Sequence, residues 1–170
     1  MNSFATKGAE AFNDKAAALE SIPFLPIVEF VFIFLPLLYH GVYGMYVAYT
    51  SGYNASKYSW GRNVMFTLQR TSGVITFIFI IYHLWTTRFS GDGPSFDMVA
   101  AIVSSPLQYW FMIIGTVMAV FHLANGLWGF LIHWGVTVGP RAQRASAIAL
   151  MGLFVVLSGV GVAALMAFHG

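Results

Sequence analysis

Residues 147–168 read AIALMGLFVVLSGVGVAALMAF, 22 consecutive positions without an ionisable side chain. Crossing the ~30 Å hydrocarbon core of a bilayer takes about 20 apolar residues in a helix, so this stretch predicts a transmembrane helix. Outward from it, residues 27–49, 65–87 and 107–131 meet the same requirement. The first of these spans carries Glu29 and His40 in its interior, the second Arg70 and His83, the third His122 and Asn125. In lipid each helix satisfies its own backbone hydrogen bonds. The expected fold class is therefore all-α, a polytopic transmembrane helix bundle with four transmembrane helices. It forms a single domain over residues 1–170, with an N-terminal surface segment at 1–26.

Composition agrees with this reading. Hydrophobic residues make up 58% of the chain and charged residues 8%, against about 25% charged in an ordinary soluble domain. Such a chain cannot cover a globule with solvated groups, and it is too apolar to be disordered. Its net charge of +2 comes from scattered residues, so no basic patch exists to follow a nucleic acid. Cysteine is absent, which removes disulfides, iron–sulfur ligation and thiol catalysis from this chain's chemistry.

Turn-forming residues separate the spans: SGYN at 51–54, SGDGP at 90–94, SSP at 104–106 and Gly139-Pro140. Residues 8–20 predict a short surface helix ahead of Pro23 and Pro26. Lys57, Arg62, Arg70, Arg141 and Arg144 lie toward one side of the bundle, Lys7, Lys15 and Arg88 toward the other. The positive-inside rule puts the five-residue side in the cytoplasm and both termini outside. An external tail of about 26 polar residues has no signal peptide to export it. Two expectations remain open: a further helix upstream of Met1, or a four-helix protein whose short tail crosses unaided.

Ionisable residues inside a membrane are costly and point to function. His40 and His122 each lie nine residues from the cytoplasmic end of their span, about 13 Å deep at 1.5 Å per residue. Two imidazoles at one level on separate helices can supply both axial ligands of a low-spin haem. They can equally form an interhelical hydrogen bond with each other or with Asn125. Gly41, Gly44 and Gly126 offer smooth faces for a flat macrocycle, and Tyr39, Tyr43, Phe121 and Trp128 could pack its edges. His83 sits ~27 Å up its span, near the outer face, where only the terminal His169 has a comparable height. His133 reads as a solvated interfacial residue. Arg70 suits a haem propionate or a headgroup. Glu29, near the outer start of the first span, could exchange a proton with a quinone or simply sit in the interface.

At these residues the sequence resembles the di-haem cytochrome b membrane-anchor subunits of Bacillus-type succinate:quinone oxidoreductases (succinate dehydrogenases). The resemblance rests on FATKGAEAFN at 4–13, IFLPLLYHGVYG at 33–44, SWGRN at 59–63, LQRTSG at 68–73, Tyr82-His83, FHLANGLW at 121–128 and TVGPRAQR at 137–144. It covers essentially the whole chain. It implies five transmembrane helices and four haem-ligating histidines. His40 and His122 match the cytoplasmic-side haem b and His83 the outer one, while the fourth ligand falls on a first helix absent from this sequence. It further implies an electron-transfer subunit, not an enzyme by itself, in a bacterial cell membrane. Flavoprotein and iron–sulfur subunits would dock on the cytoplasmic loops, and a quinone, menaquinone by expectation, would react near the outer face. The alternatives are a cytochrome b subunit of another dehydrogenase or fumarate reductase, and a cofactor-free transporter or assembly protein held by His–His hydrogen bonds.

Overall fold

A computed structural model describes residues 4–91 and 93–168, with side chains from residue 8 onward. Its elements are α1 (Phe4–Glu20), α2 (Leu25–Thr50), α3 (Gly61–Thr87), α4 (Phe96–Ser104), α5 (Pro106–His133) and α6 (Gly139–Met166). Helices α2, α3, α5 and α6 are long and apolar enough to cross a membrane, and no strand occurs among the described residues. The protein is thus an all-helical, multi-pass membrane protein.

Helix α2 is not a uniform α-helix. Phe30–Phe34 forms a π-turn in which the Leu35 N–H reaches back to the Phe30 carbonyl. The cause lies two residues on. Pro36 has no N–H to give and its ring crowds the carbonyl four residues earlier, so the chain widens just ahead of it. Pro26 occupies the first turn of the same helix, where its missing N–H costs nothing.

Three spans form the packed centre. Helix α5 lies against α6 and α3, and α2 packs along α3 at the periphery. Close approach depends on missing side chains. A Cβ on Gly115 would collide with the Phe79 ring, and one on Gly161 would lie 2.7 Å from the Thr116 methyl. Most other large side chains are exposed, Ile148, Val155 and Val156 on α6 among them, as expected of surfaces that meet lipid.

Three elements differ from expectation. Residues 96–104 form a helix in place of a loop. The Ser95 hydroxyl accepts the Met98 N–H as an N-cap, and Val103 is wholly buried with Phe79, Met112 and Leu165. The α1 helix is not a free surface helix. Kinked at Gly8 (φ 81°), it buries Phe12 and Ala16 against Phe96 and Phe168. The Phe12 and Phe168 rings meet edge-on at 5.5 Å. The last span also begins earlier, at Gly139, because Gly139-Pro140 starts a helix instead of separating two.

Charge is divided between the two ends of the bundle. The end holding the 51–60 and 134–138 connections carries Lys57, Arg62, Arg70, Arg141 and Arg144 and, among the described residues, no carboxylate side chain. Glu10, Asp14, Glu20, Glu29 and Asp97 all lie toward the opposite end, with Lys15 and Arg88. These are called the basic and acidic ends below.

Candidate functional site

A cavity of about 1180 Å³ runs between α2, α3 and α5, from Arg70 at the basic end to Glu29 and Arg88 at the acidic end. Its volume matches or exceeds the roughly 300–1,000 Å³ of ordinary ligand pockets. His40 on α2 and His122 on α5 project into it from opposite walls, with ring centres 6.1 Å apart and planes inclined at 69°.

The His122 ring is held from behind. Its Nδ1 lies 3.1 Å from the Gln69 carbonyl and 3.3 Å from the Ser72 hydroxyl, and Ser72 itself is buried. Because the Ser72 hydroxyl donates to the same Gln69 carbonyl, a proton on Nδ1 satisfies the cluster and leaves Nε2 as a bare lone pair. Gln69 is fixed in turn: its Nε2 donates to the His122 carbonyl at 3.1 Å and its Oε1 accepts from Asn125 at 2.8 Å. Asn125 thus bonds α3, not a histidine. Gly73 admits the imidazole against α3; a Cβ there would lie 2.9 Å from His122 Cε1.

The spacing of the two rings fits axial ligation of a haem. Two metal–imidazole bonds of about 2 Å each, continued to the ring centres, span about 6 Å. Ligating histidines characteristically donate their second nitrogen to a carbonyl. The cavity wall includes Gly44, beside which nothing lies within 4 Å of a notional Cβ, and Thr76, whose hydroxyl is buried and without a hydrogen-bond partner among the described residues. His40 and His122 make no hydrogen bond to each other among the described residues.

Arg70 closes the basic end of the cavity. Its Nε donates to Ser51 Oγ at 2.7 Å, its Nη1 to the Phe66 carbonyl at 3.2 Å, and its guanidinium lies over the Phe66 ring. At the acidic end Glu29 is paired. Arg88 Nη2 donates to its Oε2 at 2.7 Å and Nε reaches both carboxylate oxygens. These bonds to Glu29 raise the Arg88 pKa above the usual guanidinium value. The pair was not anticipated from sequence, although both residues fall at one end of neighbouring antiparallel spans.

Other expected residues lie elsewhere. His83 stacks on Phe79 at 5.7 Å outside this cavity, and its buried Nδ1 has no hydrogen-bond partner among the described residues. His169 lies outside the described residues. His133 is exposed at the end of α5. Tyr39 and Tyr43 stack on each other on an exposed face, while Phe121 and Trp128 face a second cavity beside α6. Gly41 lines the cavity with Gly44, its Cβ position taken by the Phe77 ring, whereas Gly126 seats the Gln69 amide outside it.

Residues 54–162 match the family model described as succinate dehydrogenase/fumarate reductase transmembrane subunit. The succinate dehydrogenase cytochrome b558 subunit of Bacillus subtilis (strain 168) is 48% identical over 99% of this chain and 85% of its own length. No solved structure matches.

Proposed function

The chain belongs to the succinate dehydrogenase/fumarate reductase transmembrane subunit family, and on that premise we propose that it is a haem b-carrying membrane anchor. In a bacterial cell membrane it would pass electrons between cytoplasmic flavoprotein and iron–sulfur subunits and menaquinone. The observation that carries the reading is the facing pair His40 and His122, 6.1 Å apart across a large cavity, with the Nδ1 of His122 directed at the Gln69 carbonyl. The similarity to a cytochrome b subunit supports haem as the occupant.

Haem bound there supplies reversible one-electron chemistry. The chain's residues do the rest. His40 and His122 present imidazole nitrogens, and the Gln69 carbonyl keeps His122 in the ligating tautomer. Arg70 retains N–H donors beyond those given to Ser51 and Phe66, and these would bind a propionate. The apolar walls exclude water and keep the local dielectric low. Glu29, at the far end of the cavity and paired with Arg88, is assigned to the quinone-side proton step. The sequence resemblance implies that His83 is a ligand of a second haem. No partner histidine faces it among the described residues, so haem retention in this chain is assigned to His40 and His122. The basic end, with its 51–60 and 134–138 connections, is the docking face for the soluble subunits, which perform the succinate chemistry.

The test is a visible spectrum of the purified chain, with haem measured as its pyridine haemochrome. Wild-type protein should show a low-spin b-type spectrum, and His40→Ala or His122→Ala should abolish it. A spectrum unchanged in either variant, or no haem in the wild type, would refute the assignment.

A further inference from the structure

On the opposite side of α3 and α5 from the histidines, a second cavity of about 400 Å³ lies between these helices and α6. Its mouth is at the basic end. Arg62 on α3 donates to the Gln143 side chain on α6, and Trp128 Nε1 donates to the Gln143 carbonyl at 3.1 Å. The mouth is thus fixed by bonds among three helices. Arg62 keeps donors in excess of that one bond. Arg144, also at the mouth, has no hydrogen-bond or ion-pair partner among the described residues. Below them the walls turn apolar with Met65, Phe121, Leu150 and Phe154, the two phenylalanines packing edge-on at 5.7 Å.

We infer that this cavity is a binding site for an anionic glycerophospholipid, with its phosphate between Arg62 and Arg144 and an acyl chain along Phe121, Leu150 and Phe154. Three observations converge on that occupant. The two cations stand at the ends of membrane-spanning helices, the height at which headgroups lie. No carboxylate side chain shares that end among the described residues, so no acidic group of the described chain competes with an anionic headgroup for the two cations. And the cation pair opens onto an apolar slot within the bundle, which fits a molecule with an anionic head and a hydrocarbon tail, not a free anion.

The experiment is native mass spectrometry of the purified, delipidated full chain in detergent. It is titrated with phosphatidylglycerol, with phosphatidylcholine of identical chains, and with phosphatidylglycerol plus millimolar inorganic phosphate. Wild-type protein should retain phosphatidylglycerol over phosphatidylcholine, and phosphate should not displace it. The Arg62→Gln/Arg144→Gln double variant should bind about thirtyfold more weakly, roughly a factor of five per cation. Arg141→Gln, at the same end but outside the cavity lining, should change binding less than twofold. Leu150→Trp, which fills the slot and keeps both cations, should also lose the lipid. Equal retention of the two lipids by the wild type, which needs no variant to interpret, would overturn the proposal. So would an equal effect of Arg141→Gln, or full displacement by phosphate, which would mark a small-anion site.

Discussion

Arg88 clasps Glu29 across 59 residues of sequence, with Nη2 2.7 Å from Oε2 and Nε 3.1 and 3.0 Å from the two oxygens. The contact joins the start of the first span to the end of the second. Since α2 packs mainly along α3, this pair pins the acidic end of a peripheral helix. Glu29→Gln should lower stability by about 1 kcal/mol, the upper range for a partly exposed ion pair, read as a lower thermal midpoint in detergent. Arg88→Gln should act similarly, and the double variant should cost less than the sum of the two. Strict additivity would show that the residues do not stabilise each other.

Gly73 sets the distance between α3 and the His122 ring. A methyl there would stand 2.9 Å from Cε1, so Gly73→Ala must move either the imidazole or a helix, at a cost of about 1–3 kcal/mol. The expected result is a haem content below half that of wild type with unchanged helical circular dichroism. Gly129→Ala, where nothing lies within 4 Å of the new atom, should retain full haem. Equal haem in both variants would mean that His122 need not hold its position.

These residues show where sequence was legible and where it was not. The four spans were readable because a window of apolar residues is a property of the chain itself. Their ends were less so. Arg141 and Arg144 read as loop, yet they occupy the first turns of α6, where a basic residue can reach the headgroups. Helix α4 escaped because nine residues are too few for a span, although Ser95 with Asp97 two residues later is a readable helix start. The equal depth of His40 and His122 followed from helix rise alone. Which way each helix turns did not. Sequence spacing alone puts Tyr39, Tyr43, Phe121 and Trp128 at the level of the paired histidines, yet none of them lines their cavity, since rotation about a span is set by packing, and in α2 by a π-turn that hydropathy does not register. Gln69, the residue that orients His122, was overlooked because a neutral amide stands out from no pattern.

Arg70 lines the histidine cavity at its basic end, where a fixed positive charge favours the reduced state of a nearby redox centre. Removing that charge should favour the oxidised state. Arg70→Gln should therefore lower the midpoint potential of the bound haem by tens of millivolts, the scale of a Coulomb term screened by intermediate dielectric. Arg70→Lys, which keeps the charge but loses the fork that holds Ser51, should shift the potential less while loosening haem binding. A potential unchanged in Arg70→Gln would place the guanidinium's charge out of reach of the haem.

His83 differs from the other two intramembrane histidines in having a buried nitrogen without a hydrogen-bond partner among the described residues and in lining no part of the His40–His122 cavity. A buried polar atom left unsatisfied is a standing cost, of order 1–3 kcal/mol. His83→Leu removes that atom and preserves the stack on Phe79 as an apolar contact. In this chain the substitution should raise stability by about 1 kcal/mol and leave the haem-to-polypeptide ratio at one, with an unaltered spectrum. The assignment of haem to His40 and His122 alone fails if His83→Leu loses haem, or if the wild-type ratio is two and falls to one in the variant. In that case His83 is itself a ligand, and its unsatisfied nitrogen is the cost of keeping a coordination site ready.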